Sequence, residues 1–403
     1  MKYDVIIVGG GAAGFFTAIN IAEQNKKLKI AILERGKDVL AKVRISGGGR
    51  CNVTHACFDP KALTQFYPRG EKELLGPFHR FCSGDTIAWF ADRGVNLKIE
   101  DDGRMFPDTD SSETIINCFL QEAKRLKIEI LTGVSVQGFC KKENVWELNT
   151  SKSNYTCTHL AITTGSNPKI WQLINKLAHT IVPPVPSLFT FNIKDNRIKD
   201  LMGITAKANI KVKETKLEAS GPLLITHWGM SGPAILRLSA WGARILADKN
   251  YQFHIAVNWV PQHNTASILE DLQKIRKAEA KKTVSKHKLY KLPNRLWERI
   301  VSASSINEHV KWADLNNSQL HTLANQLTAA TYQVNGKSTF KEEFVTAGGV
   351  DLKEINFKTM QSKQQENLYF AGEVLNIDAI TGGFNFQNAW TTAFIAAQTI
   401  ANK

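Results

Sequence analysis

The stretch Gly9-Gly10-Gly11-Ala12-Ala13-Gly14 separates an apolar, β-branched run at residues 3–8 from a helix-like run at residues 15–24. It contains Gly-x-Gly-x-x-Gly with glycine at all three required places. The first glycine permits a sharp turn, the second lets a pyrophosphate approach the backbone, and the third lets the helix pack closely on the strand. A second apolar run follows at residues 29–33. The chain therefore opens with the βαβ unit of a dinucleotide-binding domain.

A carboxylate closes the second strand of this unit. Glu34 stands twenty residues after Gly14, where an acidic side chain accepts hydrogen bonds from ribose hydroxyls. The same charge would repel the 2′-phosphate of NADP, which leaves FAD or NAD. The neighbouring Arg35 would favour a phosphate, but we expect it to lie along the adenine or on the surface, because Glu34 holds the strand end.

Three consecutive glycines mark a second unusual loop, at residues 42–54 (KVRISGGGRCNVT). Ordering such a run costs conformational entropy. That cost is justified where the backbone must closely approach a flat or charged ligand, because glycine has no side chain to block the approach. Lys42 and Arg50 supply positive charge, and Ser46 and Asn52 supply small hydrogen-bonding groups. FAD needs its pyrophosphate, ribityl chain and ring edge held, whereas an NAD-only enzyme has no evident need for this loop. The loop favours FAD, and a mobile surface loop is the alternative.

All six cysteines lie in the first 160 residues, without a CxxC pair or a zinc-like spacing. We therefore expect neither a disulfide framework nor a metal site. Cys51 could be a redox thiol or a flavin attachment point. With no partner cysteine nearby, we favour a small packing residue in the predicted cofactor loop.

Glycine-rich turns after apolar strands, like those near the N-terminus, recur near the C-terminus. An apolar strand runs into Gly372-Glu373, and Gly382-Gly383 opens an alanine-rich helix. Helix N-terminal N–H groups can face an anionic centre. In a flavoprotein that centre is the N1–C2=O edge, which gains negative charge on reduction, so this arrangement would favour the reduced flavin.

Between these two regions the chain leaves the dinucleotide-binding pattern. Three prolines, Pro183, Pro184 and Pro186, precede short strand-like runs, and a helical, charged stretch follows from residue 265 to about 331. We predict an α/β protein with an interrupted FAD-binding domain. Its parts are the first half of the FAD-binding domain (1–188), an inserted β domain (189–260), a helical sub-domain (261–331), a return through the β domain (332–344) and the second half of the FAD-binding domain (345–403).

Further motifs complete a resemblance to a known family. They are GRMFP at 103–107, THWGMSGP at 226–233, TAGGV at 346–350 and the stretch 372–383. Together with the two glycine loops, they resemble the bacterial flavoproteins grouped with aminoacetone oxidase and with a reductase of dehydro-bile acids. The resemblance spans the whole chain. It implies non-covalent FAD and a glutathione-reductase-like FAD-binding Rossmann domain, with an inserted β-barrel domain and a helical sub-domain.

The motifs and the resemblance together define the candidate FAD-binding residues. These are Gly9, Gly11, Ala12, Ala13, Gly14, Glu34, Arg35, Lys42, Ser46, Gly47, Gly48, Arg50, Cys51, Asn52, Val136, Thr164, Gly165, Gly372, Glu373, Gly382, Gly383, Phe384 and Asn385. Val136 comes from the resemblance, as part of the strand whose backbone meets the adenine in such folds. Two departures from the family pattern, His55 and Asn376, weaken the transfer of a substrate but not of FAD binding.

His227 is the histidine we nominate for catalysis, because it precedes a glycine-rich, helix-starting segment in the inserted domain that we expect to cover the flavin. A core or cap histidine is the alternative. A neutral imidazole there could give or take a proton during amine oxidation or enone reduction. The sequence predicts an FAD-dependent oxidoreductase acting on a small amine or a carbonyl/enone compound. Only one dinucleotide fingerprint is present, so an oxidase and an NAD(P)H-dependent reductase both stay open.

The chain carries 51 Lys+Arg against 37 Asp+Glu, a net charge of +14. Between Lys274 and Arg299 there are ten basic residues and two acidic residues. We interpret this stretch as a solvated helical face, with an RNA-binding surface as the alternative.

No run approaches the roughly 18 apolar residues of a membrane span, and we expect a cytoplasmic protein with a small-molecule substrate. We expect no membrane or nucleic-acid partner, while an RNA-associated flavoprotein and an FAD-binding redox sensor stay open.

Overall fold

The computed structural model describes residues 1–338 and 345–403. The chain divides into two compact units: unit 1 is Met1–Val185 with Val345–Lys403, and unit 2 is Pro186–Phe344. The sequence places the break at 188/189, and unit 2 begins at Pro186. The last six residues of the predicted return at 332–344 lie outside the described residues.

Thirteen α-helices and 21 strands are found in the described ranges. The helices are α1 (Ala12–Gln24), α2 (Ala41–Gly49), α3 (Pro60–Thr64), α4 (Glu71–Phe78), α5 (Ser83–Ala91), α6 (Ser112–Arg125), α7 (Pro168–Asn175), α8 (Pro233–Trp241), α9 (Ala243–Asp248), α10 (Thr265–Ala278), α11 (Asn294–Ala303), α12 (Asn317–Thr328) and α13 (Phe384–Ala401). The strands are β1 (Lys2–Val8), β2 (Ile30–Leu33), β3 (Thr54–His55), β4 (Leu97–Ile99), β5 (Arg104–Pro107), β6 (Glu129–Leu131), β7 (Val136–Lys142), β8 (Val145–Thr150), β9 (Asn154–Ile162), β10 (Ile181–Ser187), β11 (Thr190–Asn192), β12 (Thr205–Val212), β13 (Glu218–Ile225), β14 (Gly229–Ser231), β15 (Gln252–Asn258), β16 (Ala330–Asn335), β17 (Lys337–Ser338), β18 (Val345–Val350), β19 (Ile355–Asn356), β20 (Gln361–Ser362) and β21 (Leu368–Phe370).

A mixed sheet whose central strands pair in parallel forms the centre of unit 1. Its main order is β19-β20-β21-β9-β1-β2-β6, and the β7–β8 hairpin joins it through β8 and β9. The pairs β21–β9, β9–β1, β1–β2 and β2–β6 are parallel. The middle strands are unbroken apolar runs because the sheet is covered on both faces, and Val5, Ile6 and Ile7 are fully buried. This confirms the predicted Rossmann-like α/β domain at the N-terminus.

The carboxyl ends of four parallel strands share one edge of that sheet. The chain leaves β1 into the first glycine turn, β2 into Glu34, β9 into Thr163–Gly165 and β21 into Ala371–Glu373. In open α/β sheets, ligands bind in the crevice outside this edge. Residues far apart in sequence are therefore brought to the same place.

Unit 2 contains a seven-stranded antiparallel sheet in the order β16-β15-β12-β13-β14-β11-β17. The strands alternate buried and exposed residues, as in Ala208, Ile210 and Val212 of β12, which is the period of a sheet with one covered face. Helices α10, α11 and α12 lie between β15 and β16 in the chain, and the buried Trp297 and Trp312 belong to the core of the unit. Closure of this sheet into a barrel, and the helical segment as a separate sub-domain, stay predictions.

No helix in the described part of the chain is long and apolar enough to cross a membrane.

Candidate functional site

The first glycine turn packs against the end of β9. Gly9 has φ +113°, and a Cβ there would lie 2.6 Å from the carbonyl oxygen of Thr163; a Cβ at Gly14 would overlap the carbonyl oxygen of Gly9. Gly11 differs, because its φ is −97° and a Cβ there meets no atom within 4 Å. The backbone at Gly11 is thus open at the N-terminus of α1, as a pyrophosphate requires.

Two backbone N–H groups hold the Glu34 carboxylate at this edge. Gly10 N donates to Oε2 at 2.8 Å and Gly36 N donates to Oε1 at 2.7 Å. Each oxygen keeps a second lone pair that a ribose hydroxyl can use. Val134 N donates to the Glu34 carbonyl at 2.9 Å, which places the chain leading into Val136 beside it. Neighbouring Arg35 is exposed.

Lys42, Gly165 and Glu373 lie together although they are up to 331 residues apart. The Lys42 ammonium forms an ion pair with Glu373 at 2.5 Å. A Cβ at Gly165 would lie 3.3 Å from Glu373 Oε2, and a Cβ at Gly372 would lie 3.0 Å from the Cβ of Ala13. The Gly-Glu turn after β21 therefore contacts both the first helix and the loop after β9.

The second glycine loop meets the start of α13. With its amide oriented to satisfy its neighbours, Asn52 accepts a hydrogen bond from Gly383 N at 3.0 Å and donates to the Thr54 carbonyl at 3.0 Å. Gly383 has φ +89°, and a Cβ there would overlap the Thr54 carbonyl oxygen. Thr54 Oγ1 also donates to Gln387 Oε1 at 2.6 Å. The second glycine loop and the Gly382-Gly383 turn are therefore in direct contact.

The glycine loop itself leaves space above its backbone. Helical geometry in α2 is interrupted at Ser46, Gly47 and Gly48. Gly48 and Gly49 have φ +68° and +85°, and a Cβ at either meets nothing within 4 Å. Gly49, which we did not single out, is as open as Gly48, and the unbroken triplet of glycines was the signal for it.

Arg50, Phe384 and Asn385 use their side chains within the protein. Arg50 pairs with Glu100 at 2.6 Å and with Asp110 at 3.4 Å. Both amide atoms of Asn385 bond the backbone of Ala379, at 3.0 and 3.1 Å. Phe384 is buried. Their predicted contacts with the cofactor stay predictions, and the side-chain geometry leaves mainly their backbone for that role.

Cys51 is fully buried, and burial raises the pKa of its thiol to about 12. At neutral pH the group is therefore a thiol and not the thiolate that redox exchange or flavin attachment requires. The structure favours the packing role.

His55 is a residue whose place at this site we did not predict. Its ring stacks on Phe384 with centroids 4.6 Å apart, and its Nε2 lies 3.1 Å from the Asp102 carbonyl. Burial lowers the pKa of the imidazole. Its position directly after the second glycine loop is the sequence signal that points to this site.

His227 lies in unit 2, on the turn between β13 and β14, where it is exposed. The turn is well ordered: Thr226 N donates to the Gly229 carbonyl at 2.8 Å, and Ile193 N donates to the Trp228 carbonyl at 2.8 Å. The catalytic role of His227 stays a prediction.

Three features of unit 1 fit FAD. Gly11 leaves room for a pyrophosphate, Glu34 is held with free lone pairs for a ribose, and Thr164 Oγ1 is a buried hydroxyl with no hydrogen-bond partner in the described ranges. A buried, unsatisfied polar atom costs free energy unless a ligand bonds it. Searched over those same ranges, His, Cys, Asp and Glu form no cluster suited to a metal ion.

Comparisons with known proteins agree with this geometry. The sequence profile of the HI0933-like protein Rossmann domain matches residues 3–399. A curated relative from Haemophilus influenzae, named ribosomal RNA dihydrouridine synthase, is 28% identical and aligns over 99% of this chain and 98% of its own length. Another from Clostridium scindens, named 3-dehydro-bile acid delta(4,6)-reductase, is 25% identical over 98% of each.

A solved structure has the same fold. 3-Ketosteroid-delta4-(5alpha)-dehydrogenase from Rhodococcus jostii superposes with a TM-score of 0.52 at 12% identity, and the match covers 100% of this chain and 97% of that one. At this identity the likeness concerns the fold alone.

Proposed function

Because the chain belongs to the HI0933-like Rossmann family and is an FAD-dependent oxidoreductase, we propose that it reduces a carbon–carbon double bond conjugated to a carbonyl group, with NAD(P)H as the electron donor. The observation that carries the proposal is the chemistry common to two full-length relatives. A delta(4,6)-reductase of a 3-dehydro bile acid and a dihydrouridine synthase both saturate a double bond beside a carbonyl. The name of neither relative refers to an amine, which is the other substrate class predicted from the sequence.

The net reaction consumes one NAD(P)H and one proton. A hydride equivalent adds to the β-carbon of the double bond, a proton adds to the α-carbon, and NAD(P)⁺ leaves. When bound, FAD supplies the two-electron transfer between nicotinamide and substrate. The chain would bind and orient it: Gly11 leaves space for the pyrophosphate, and the carboxylate of Glu34, held by Gly10 N and Gly36 N, would accept hydrogen bonds from the ribose. The N-terminus of α13, beside Gly383, favours negative charge in its vicinity.

The substrate we propose first is a uridine within RNA. The relative at 28% identity carries an RNA-directed name, and a net charge of +14 favours association with a polyanion. This departs from our expectation from sequence that no nucleic acid is a partner. A small conjugated enone is the second candidate, supported by the bile-acid reductase relative at 25% identity.

The proposal is tested by anaerobic titration of the FAD-loaded protein with NADH and NADPH, followed by addition of substrate. We expect one nicotinamide to bleach the visible flavin absorbance, and either a uridine-containing ribosomal RNA fragment or a 4-ene-3-ketone to restore it, with loss of the double bond seen by mass spectrometry. Bleaching by an amine but by neither nicotinamide would instead assign amine oxidation to the protein and overturn the proposal.

His227 is the proton donor we propose for the α-carbon, through its imidazole Nε2. We expect His227→Ala to retain FAD and its reduction by nicotinamide, but to slow substrate-driven reoxidation about 100-fold, as loss of a general acid does. His309→Ala, at a highly exposed histidine of the same unit, is the control. Reoxidation at the normal rate in His227→Ala would remove this residue from the mechanism.

A further inference from the structure

The positive charge of the chain is concentrated in unit 2. This unit, Pro186–Phe344, contains 23 lysines and arginines against 13 acids, so it holds +10 of the total +14. Within it, residues 274–299, here called the cationic segment, contain ten basic residues against two acids. A segment of 26 residues thus accounts for most of the excess charge of the protein.

Most of these cations face solvent without a carboxylate partner among the described residues. Nine of the ten are exposed and Arg276 is half-buried. Lys282 pairs with Glu279, and Lys286 and Arg299 make looser pairs at 3.5 and 3.9 Å. Within the described ranges, several exposed cations of the segment have no carboxylate within ion-pair distance; they are Lys274, Lys277, Lys281, Lys288 and Lys291.

The cationic segment is ordered, not a solvated tail. Val284 N donates to the Val310 carbonyl at 3.0 Å, and Trp312 N donates to the Lys282 carbonyl at 3.0 Å. The indole of Trp297 donates to the Val284 carbonyl at 2.9 Å, and both tryptophans are fully buried. Apolar anchors thus alternate with exposed lysines along the segment. Holding like charges close on a fixed backbone costs electrostatic free energy, which a bound polyanion offsets.

We propose that the cationic segment of unit 2 binds the phosphate backbone of single-stranded RNA and so docks the strand that carries the substrate uridine. The inference rests on the proposed function for its choice of RNA. Seven of the ten cations are lysines, which contact phosphates as flexible point charges without reading sequence. Such contacts release condensed counterions, and the affinity falls steeply with salt.

The test is fluorescence anisotropy of a labelled single-stranded ribosomal RNA fragment with the FAD-loaded full chain at several salt concentrations. The variant Lys281→Glu/Lys288→Glu/Lys291→Glu changes three exposed lysines without disturbing a described ion pair. At about 150 mM salt we expect its affinity to fall at least tenfold, and its salt slope to decrease by about 2 to 3.

A matched control changes the same charge in unit 1, as Lys26→Glu/Lys61→Glu/Lys72→Glu, all exposed. This control should bind RNA within about twofold of the parent once salt screens long-range attraction. Equal weakening in both triple variants would mean that net charge alone acts, and would overturn the proposal. FAD content and circular dichroism check that each variant folds. If the Lys281→Glu/Lys288→Glu/Lys291→Glu variant fails to fold, Lys→Gln substitutions at the same three positions replace it.

Separate measurements distinguish this surface from the proposed reaction. The triple variant should keep the parent rate of flavin reduction by nicotinamide, and should raise KM for RNA without lowering kcat. If RNA binding follows the expected pattern but the protein reduces no uridine, the RNA-binding surface is supported and the proposed reaction is overturned. If the protein reduces uridine but the triple variant binds RNA with normal affinity, the reaction is supported and the RNA-binding surface is overturned. Tighter binding of polyglutamate than of RNA would assign the surface to acidic proteins and overturn the proposal.

Discussion

Gly11 and Gly14 of the first glycine turn are needed for different physical reasons. At Gly14 a side chain would overlap the carbonyl oxygen of Gly9, so the helix could not pack on the strand. At Gly11 the space beyond Cα is open and the φ of −97° suits any residue. Folding therefore requires Gly14, whereas Gly11 is free to serve a ligand.

We expect Gly11→Ala to leave the stability of the FAD-free protein within about 1 kcal/mol of the parent, because nothing in the fold meets the new methyl group. Its affinity for FAD should fall at least tenfold, since the methyl occupies the space of the pyrophosphate. Urea unfolding of the FAD-free chain and flavin fluorescence quenching measure the two quantities.

Gly14→Ala serves as the contrasting variant, and should lose several kcal/mol of stability through the backbone overlap. Equal loss of stability in both variants, or normal FAD affinity in Gly11→Ala, would contradict the assignment.

At the scale of elements, a buried amide in α13 helps to join this helix to the second glycine loop. Gln387 accepts hydrogen bonds from the hydroxyls of Thr54 at 2.6 Å and Thr86 at 2.9 Å, and it donates to Thr391 at 3.1 Å. Its side chain is fully buried. A loop, α5 and α13 thus share one hydrogen-bond network behind the candidate site.

Replacing this amide with an isosteric apolar group, as Gln387→Leu, removes the common partner of these hydroxyls. We expect the free energy of unfolding to fall by about 1 to 3 kcal/mol, measured by urea denaturation. The control is Gln172→Leu on the exposed face of α7, which should change stability by less than about 0.5 kcal/mol. Similar losses in both variants would show that the network contributes nothing.

At the scale of the whole molecule, unit 1 is assembled from both ends of the chain. Its candidate site joins the loops after β1, β2 and β9 to the turn after β21 and the start of α13. The ion pair between Lys42 and Glu373 and the contact of Asn52 with Gly383 link the two parts. A ligand bound there would tie them together further.

We therefore expect removal of FAD to raise amide hydrogen exchange at residues 9–14, 46–54, 163–165 and 372–383, since a ligand that binds only the folded state suppresses local opening. Exchange measured by mass spectrometry on loaded and stripped protein checks this, with peptides from β15 and β16 as the internal reference. Unchanged protection in all four segments would place the cofactor elsewhere.

Short-range patterns were enough to predict the first βαβ unit, because its turn, its helix and its strands are specified within about 35 consecutive residues. The same holds for Glu34, whose position follows from the length of one helix and one strand. The start of α8 agrees with the helix-starting segment expected after His227, but α9 was not predicted, since it lies among strand-like runs that pointed to a β domain.

Other features depend on partners that no local pattern reveals. Arg50 has the charge of a phosphate ligand, yet Glu100 and Asp110 reach it from the β4–β5 hairpin and its flanking turn. Asn385 is bonded by the backbone of Ala379, and His55 enters an aromatic stack with Phe384. Local sequence therefore dictates which backbone is open to a dinucleotide, because steric limits at glycine act within one turn. Packing of distant segments alone decides which side chains remain available, because hydrogen bonds and charges are satisfied by whichever group the fold brings near.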